Sequence, residues 1–168
     1  MDLYDMTVPG FVRGLQNLRG FLETGQAWAA ENGGEQALLE ARLFPDMGAL
    51  ASQVQRASDS AKGLAVRIGG AENAVFPDDE TSFPELFARI DKTIAFLEGV
   101  DRHGFADKDT TPVQLATPGR TLEFTGRSFV ETFAVPNFWF HVTIAYAILR
   151  AAGVPVGKMD FLGGRSGA

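Results

Sequence analysis

The chain has 168 residues, 45% of them hydrophobic, which is one domain's worth and enough to bury a full core without covalent staples. It contains no cysteine, which excludes disulfides, thiolate metal sites and a cysteine nucleophile. Its formal charge is −6 at pH 7 and its lysines and arginines are scattered singly, so nucleic acid is a poor electrostatic partner.

The start, Met1-Asp2-Leu3-Tyr4-Asp5, is acidic and lacks the basic region and apolar run of a secretory signal, so a cytoplasmic location is expected. No apolar run reads as long enough to span a bilayer, and no membrane partner is expected. Thr7 followed by Pro9 predicts a helix start. Val8, Phe11, Leu15, Leu18 and Leu22 then step by three and four residues in one apolar stripe, predicting a helix near 7–30 that Asn32-Gly33-Gly34 ends.

A second helix is expected over 35–69, kinked or broken at Pro45, which disfavours helical geometry at Phe44. Asp46 reads as an N-cap after the break, and Met47, Leu50, Val54, Ala57, Ala61, Leu64 and Ile68 form the cleanest stripe in the chain. Its alanines would let a neighbouring helix approach closely, and Gly69-Gly70 stops it. Residues 71–81 are polar and read as a long crossover. Ser82 with Glu85 is a capping box opening a third helix near 82–99, with Phe83, Phe87, Ile90, Ile94 and Leu97 inward.

From Thr111 the period falls from about 3.6 to 2. Val113 and Leu115, a turn at Pro118-Gly119, then Leu122 and Phe124 predict a small β-hairpin lying over the helices. Ser128 with Glu131 reads as a second capping box before Pro136 opens the last helix, 136–152. That helix, PNFWFHVTIAYAILR, is apolar nearly all round. On a helical wheel Asn137, His141, Ile144 and Ile148 fall on one line at the middle of the widest apolar arc, so His141 should point inward. Trp139, Thr143, Tyr146 and Arg150 lie opposite, either covered by the hairpin or tail or forming a dimer surface, since such residues are enriched at interface anchors. Phe161 and Leu162 should pack back on the helices, before a Gly/Ser-rich end expected to fray.

The expected architecture is an all-α four-helix bundle with one long crossover and a small hairpin insertion, as a single domain over 1–168. No phosphate-binding glycine loop and no Gly-x-Ser-x-Gly elbow is present. His103 reads as a surface loop residue. His141 has three readings: a buried histidine bonded to Asn137 or Gln53, a metal ligand, or a general base in a small pocket.

The last helix, the stretch Arg42-Leu43-Phe44-Pro45-Asp46-Met47 and the tail Val156-Gly157-Lys158-Met159-Asp160-Phe161-Leu162-Gly163 resemble an uncharacterised bacterial branch, a domain of unknown function, of the DinB/YfiT-like superfamily. The resemblance covers nearly the whole chain. It implies a four-helix bundle that often forms a homodimer and commonly binds a divalent metal through one histidine on the second helix and two spaced i, i+4 on the last. It also implies, for some members, thiol-dependent transferase or isomerase activity. Here His141 matches the first histidine of the pair, but the second position is Ala145, and the nearest polar residue on the second helix is Gln53. Asn137 could add a carbonyl oxygen and Asp46 or Asp59 a carboxylate. No resident cofactor is therefore expected, zinc, nickel or iron being the candidates if a metal binds weakly at His141. Two functions follow: a non-catalytic bundle acting by self-association or by holding a small ligand near His141, Asn137 and Gln53, or a thiol-dependent transferase or hydrolase retaining His141.

Overall fold

The computed structural model describes residues 2–164, and the expected fraying of 165–168 lies outside the described residues. Four long helices carry the core: α1 (Val8–Glu31), α3 (Leu50–Arg67), α4 (Phe83–Glu98) and α6 (Val135–Ala152), with a five-residue α2 (Glu35–Leu39) before α3. The long helices pack in a ring, α1 against α4 and α6 and α3 against α4 and α6, with α1 and α3 also in contact across it. The hairpin pairs β1 (Pro112–Thr117) with β2 (Arg120–Thr125) in antiparallel register, Val113 opposite Phe124, and Gly119 takes the positive φ of 86° that its turn needs.

The apolar stripe of α1 is buried as its spacing predicts, and in α3 Leu50, Val54, Ala57, Ala61 and Leu64 are all fully buried. Helix α4 is turned slightly from its expected face. Leu86 and Thr93 are buried beside Ile90, whereas Phe87 and Ile94 are only half-buried. Ser82 does accept a hydrogen bond from the Glu85 N–H, but the Glu85 carboxylate returns to the N–H of Thr81 rather than of Ser82.

Three expectations fail for local reasons. The break expected at Pro45 is present but wider than expected: residues 40–49 form a loop closed by the Leu50 N–H donating to the Ala41 carbonyl at 2.9 Å. Ala49 is the N-cap residue, so Asp46 caps nothing and is exposed. The second capping box is Thr125 with Ser128, three residues upstream of the expected Ser128–Glu131 pair.

The third difference concerns Pro136, which does not open the last helix. A short α5 (Gly126–Phe129) leads through a π-turn over Val130–Ala134 directly into α6, giving one continuous helix from Gly126 to Ala152. Proline has no N–H to donate and its ring presses on the preceding turn. The π-turn widens the backbone at that point, with the Val135 N–H reaching back to the Val130 carbonyl. By length and composition alone this continuous helix could cross a bilayer, contrary to the reading of the sequence, which began it at Pro136. In the fold its Phe138, Val142, Ala145, Ile148 and Leu149 are buried in the core. Gly153, with φ 100°, ends it as expected.

The buried arc of α6 centres on Phe138, Val142, Ala145 and Leu149, about a quarter of a turn from the expected line. His141 and Ile148 lie at its edge, Ile144 is half-buried and Phe140 is 53% exposed. The cause is the tail. Helix α7 (Lys158–Leu162) brings Phe161 to 6.0 Å from the Trp139 ring and 5.8 Å from Tyr146, and Phe21 of α1 meets Tyr146 edge-on at 6.0 Å. Trp139 and Tyr146, on the side of α6 opposite the predicted line, are thereby partly covered, while Thr143 and Arg150 stay exposed.

Helices α1 and α6 approach closely because Gly14 has no side chain. A Cβ there would lie 2.7 Å from the Phe138 ring, and that ring is stacked on Phe11 at 4.2 Å and wholly buried. Gly14→Leu gains about 1 kcal/mol in helix propensity. It must also overpack a ring that cannot move, at about 1–3 kcal/mol or more. Chemical denaturation should show net destabilisation, and a stabilised Gly14→Leu variant would contradict this packing.

Candidate functional site

The site is built where α3 and α6 face each other. Gln53 and His141 are both buried, at 1% and 8% exposure, and their side chains meet with His141 Nδ1 2.8 Å from Gln53 Oε1. The amide cannot be reversed without loss, because its Nε2 already donates to the Gly48 carbonyl at 2.8 Å. Oε1 is therefore the atom facing His141, and an amide oxygen only accepts. It follows that Nδ1 carries the proton and donates. The second nitrogen, Nε2, keeps its lone pair and has no hydrogen-bond partner among the described residues.

Burial pushes the His141 pKa down from 6.5 to about 4, and the positive charge of Arg56 adds to the effect. The ring is neutral at physiological pH, in keeping with the single donor assigned to Nδ1.

Beside His141 lies an open cavity of about 220 Å³. Its α3 wall carries Arg56, Asp59, Ser60, Gly63 and Arg67. Its α6 wall carries His141 and Asn137, and Asn137 donates to Ser60 Oγ at 2.6 Å rather than to His141. The remaining wall is apolar: Leu115 from the hairpin, with Phe129 and Phe133 from the turn ahead of α6. Phe129 stacks on Phe133 at 5.6 Å and Phe124 of β2 meets both rings, so the hairpin and the π-turn hold this wall together.

Of the candidate residues, the structure brings together His141, Gln53 and Asn137. Asp59 reaches the cavity edge, but its Oδ1 is held 3.1 Å from Arg89 Nη2 and 3.4 Å from Lys62 Nζ. Asp46 stays in the exposed loop and His103 is exposed in a short 3₁₀ turn. The reading of the sequence missed Arg56, Ser60 and Arg67. Their spacing of four and seven residues was visible as a polar edge on α3, but such an edge reads equally as a solvated face.

The metal site implied by the resemblance does not fit these residues. Ala145 is fully buried and offers no donor, and the Gln53 oxygen is spent on His141. No group of three His, Asp or Glu side chains comes together among the described residues. One imidazole nitrogen remains, too few ligands for a tight transition-metal site.

Comparison with solved structures places the fold in the DinB class. A DinB family member from Shewanella denitrificans shares 39% sequence identity with this chain, covering 95% of it and 91% of the other chain, at a TM-score of 0.84. The chain belongs to the family described as a domain of unknown function, DUF1993, whose model matches residues 3–162. A search of curated proteins found no match.

Two outcomes test the site. His141→Ala leaves a cavity and orphans the Gln53 oxygen, so it should cost about 2–4 kcal/mol. In a double-mutant cycle with Gln53→Leu the pair should couple by about 1 kcal/mol, and additive losses would refute the bond. The second outcome is set by pH. The unfolded histidine takes up a proton below its ordinary pKa of 6.5 whereas the folded one does so only near 4, so stability falls as pH drops through that window. The loss is less than about 1 kcal/mol per pH unit once the ring's open edge on the cavity is allowed for. His141→Gln should flatten that part of the profile, measured as melting temperature against pH. An unchanged slope would mean that His141 is not the titrating group.

Proposed function

We propose that the protein is a ligand-binding four-helix bundle of the DinB type, in which a small molecule sits in the α3–α6 cavity beside His141. One observation carries the reading: an imidazole with one nitrogen committed to Gln53 and the other without a hydrogen-bond partner among the described residues lines the cavity. A neutral imidazole with an unspent lone pair is an acceptor awaiting a donor, and the cavity supplies an apolar wall to hold the rest of such a molecule. At about 220 Å³ it is smaller than a typical drug-sized pocket, so the ligand is small.

The neighbourhood of the π-turn supports the same reading, because such turns are frequent at functional sites and Phe133 and Ala134 on this one line the cavity. The transferase or hydrolase reading is weaker. A histidine whose pKa is held near 4 is a poor general base at neutral pH, and the residues for a supporting metal are missing.

A fragment screen followed by two-dimensional NMR tests the proposal. Binders should perturb the His141 and Phe133 resonances. Asn137→Phe, which puts a ring into the cavity and gives up one hydrogen bond at about 1 kcal/mol, should remove them. Fragments that bind equally well to the Asn137→Phe protein would refute the assignment.

A further inference from the structure

Beyond the small-molecule reading, we infer that the solvent-facing lips of the α3–α6 seam dock one acidic amphipathic helix of a partner protein, its apolar stripe on α6 and its carboxylates facing Arg56 and Arg67 of α3. The lip on α6 is the first ground. Pro136, Phe140, Ile144, Ala147 and Ala151 step by four, four, three and four residues and so share one side of that helix. Pro136, Phe140 and Ala151 are exposed, Phe140 at 53%, and Ile144 and Ala147 are half-buried. No Asp, Glu, Lys or Arg occurs from Thr132 to Leu149, although these types make up 21% of the chain. The solvent side of a helix carries charged and polar residues, and one that stays apolar for about four turns is shaped to be covered. Within the chain, Phe161 covers α6 only on its other side, at Trp139 and Tyr146.

The lip on α3 is the second ground. Arg56 and Arg67 are both exposed, and neither has a carboxylate within ion-pair distance among the described residues, whereas Arg19, Arg89, Arg102 and Arg127 each have one. Asp59, the acid that lines the recess between the lips, is held by Arg89 and Lys62. Two cations therefore stand without partners on a protein whose net charge is −6. A partner with carboxylates in register supplies what they lack.

Geometry chooses the form of that partner. The lips belong to one seam: the Phe140 ring lies 5.3 Å from the His141 ring, His141 meets Gln53 across the seam at 2.8 Å, and Asn137 meets Ser60 at 2.6 Å. Arg56 falls between Gln53 and Ser60 on α3, and Arg67 lies two turns beyond Ser60. The arginines are eleven positions apart, about 16 Å along the helix, which is too long a span for one small molecule. A helix lying along α3 returns to the same side every three turns, about 11 residues, so carboxylates at that spacing meet both guanidiniums while an adjoining stripe lies on Phe140. An anionic membrane fits the seam less well, because the surface is concave, with a recess of about 220 Å³ between the lips, and two cations do not offset a charge of −6.

A fluorescein-labelled helical peptide of about 18 residues, with leucines on one stripe and glutamates beside them, is titrated with the full chain and followed by anisotropy. Two companion peptides replace every glutamate by lysine or place two prolines at the centre. The acidic helix should bind saturably below about 1 mM, and each companion at least about tenfold more weakly. Arg56→Glu and Arg67→Glu should each weaken the acidic peptide by about fivefold, and the double variant should prefer the lysine peptide. Phe140→Glu should weaken it by at least about tenfold, and Arg150→Glu, exposed on another side of α6, should leave it unchanged. All four substitutions are at exposed positions, so the circular dichroism of each variant should match that of the parent. Absence of saturable binding overturns the inference, as does binding that ignores Phe140 and both arginines. Equal binding of the proline peptide overturns the helical form. If the chain instead forms a dimer that Phe140→Glu dissociates, or co-sediments with phosphatidylcholine–phosphatidylserine vesicles until Phe140→Glu releases it, the occupant is a second copy or a membrane and the inference falls. The fragment screen reads the recess beside His141 and this titration reads its lips, so each reading can fail alone.

Discussion

The hydrogen bond between Gln53 and His141 is the constraint on which the rest of this region depends. It joins two helices that meet elsewhere through apolar side chains and the part-buried Asn137–Ser60 bond, and it does so between two buried polar groups that would each be costly to leave unpaired. It also orders events further out. Gln53 is held by the carbonyl of Gly48, so the loop over 40–49, which the chain leaves non-helical around Pro45, is tied to the tautomer of a histidine on another helix. A single chain of bonds thus runs from the loop through the amide to the imidazole, and its free end is a lone pair at a cavity.

The same logic separates this chain from the metal-binding arrangement of its wider superfamily. In a three-histidine site the ligands must present lone pairs to one point. Here the side chain on the second-helix side turns its oxygen to the histidine itself, and the next turn of the last helix carries Ala145. The polarity of Gln53 and of one His141 nitrogen goes into an internal hydrogen bond. The small space beside it is lined by that imidazole, two arginines and an aromatic wall.

Much of the fold was legible because the stripes of α1 and α3 obey a three-four spacing that no strand can satisfy. The inward placement of His141 came from the wheel on the last helix, and of the two partners expected for it, Asn137 and Gln53, the structure pairs it with Gln53. Two things were not legible. The wheel on the last helix centred the core on the Asn137–His141 line. Cover by the tail was one of two readings of the Trp139–Tyr146 side and is what Phe161 supplies, but a helix apolar nearly all round does not show how far such cover turns the buried arc. Pro136 was read as a start because proline usually is one, and whether a helix continues through it depends on the turn before it, where the wider hydrogen-bond spacing leaves no mark in residue type. The cavity inherits the second miss, since Phe129 and Phe133 lie on the segment read as a capping box and a short turn ahead of Pro136, and nothing in the spacing of Arg56 and Arg67 marked them as facing a recess.

The arginines show how one residue type takes opposite parts in this structure. Arg89 on α4 is 2% exposed in its side chain and is surrounded: Asp59 at 3.1 Å, Asp78 at 2.9 Å, Glu80 at 2.9 Å, and the Pro77 carbonyl at 2.8 Å. Only its Nε is a buried side-chain polar atom without a partner among the described residues. Removing one member of such a set leaves charge stranded in a dry place, so Arg89 is structural, pinning the long crossover over 71–81 against α3 and α4. One member of this set, Asp59, also lies on the cavity wall of α3. Arg56 and Arg67 line the same cavity with no carboxylate within ion-pair distance among the described residues. The crossover knot and the cavity are therefore joined through a single carboxylate, so that a change at Arg89 that frees Asp59 would alter the charge lining the recess as well as the anchoring of the crossover.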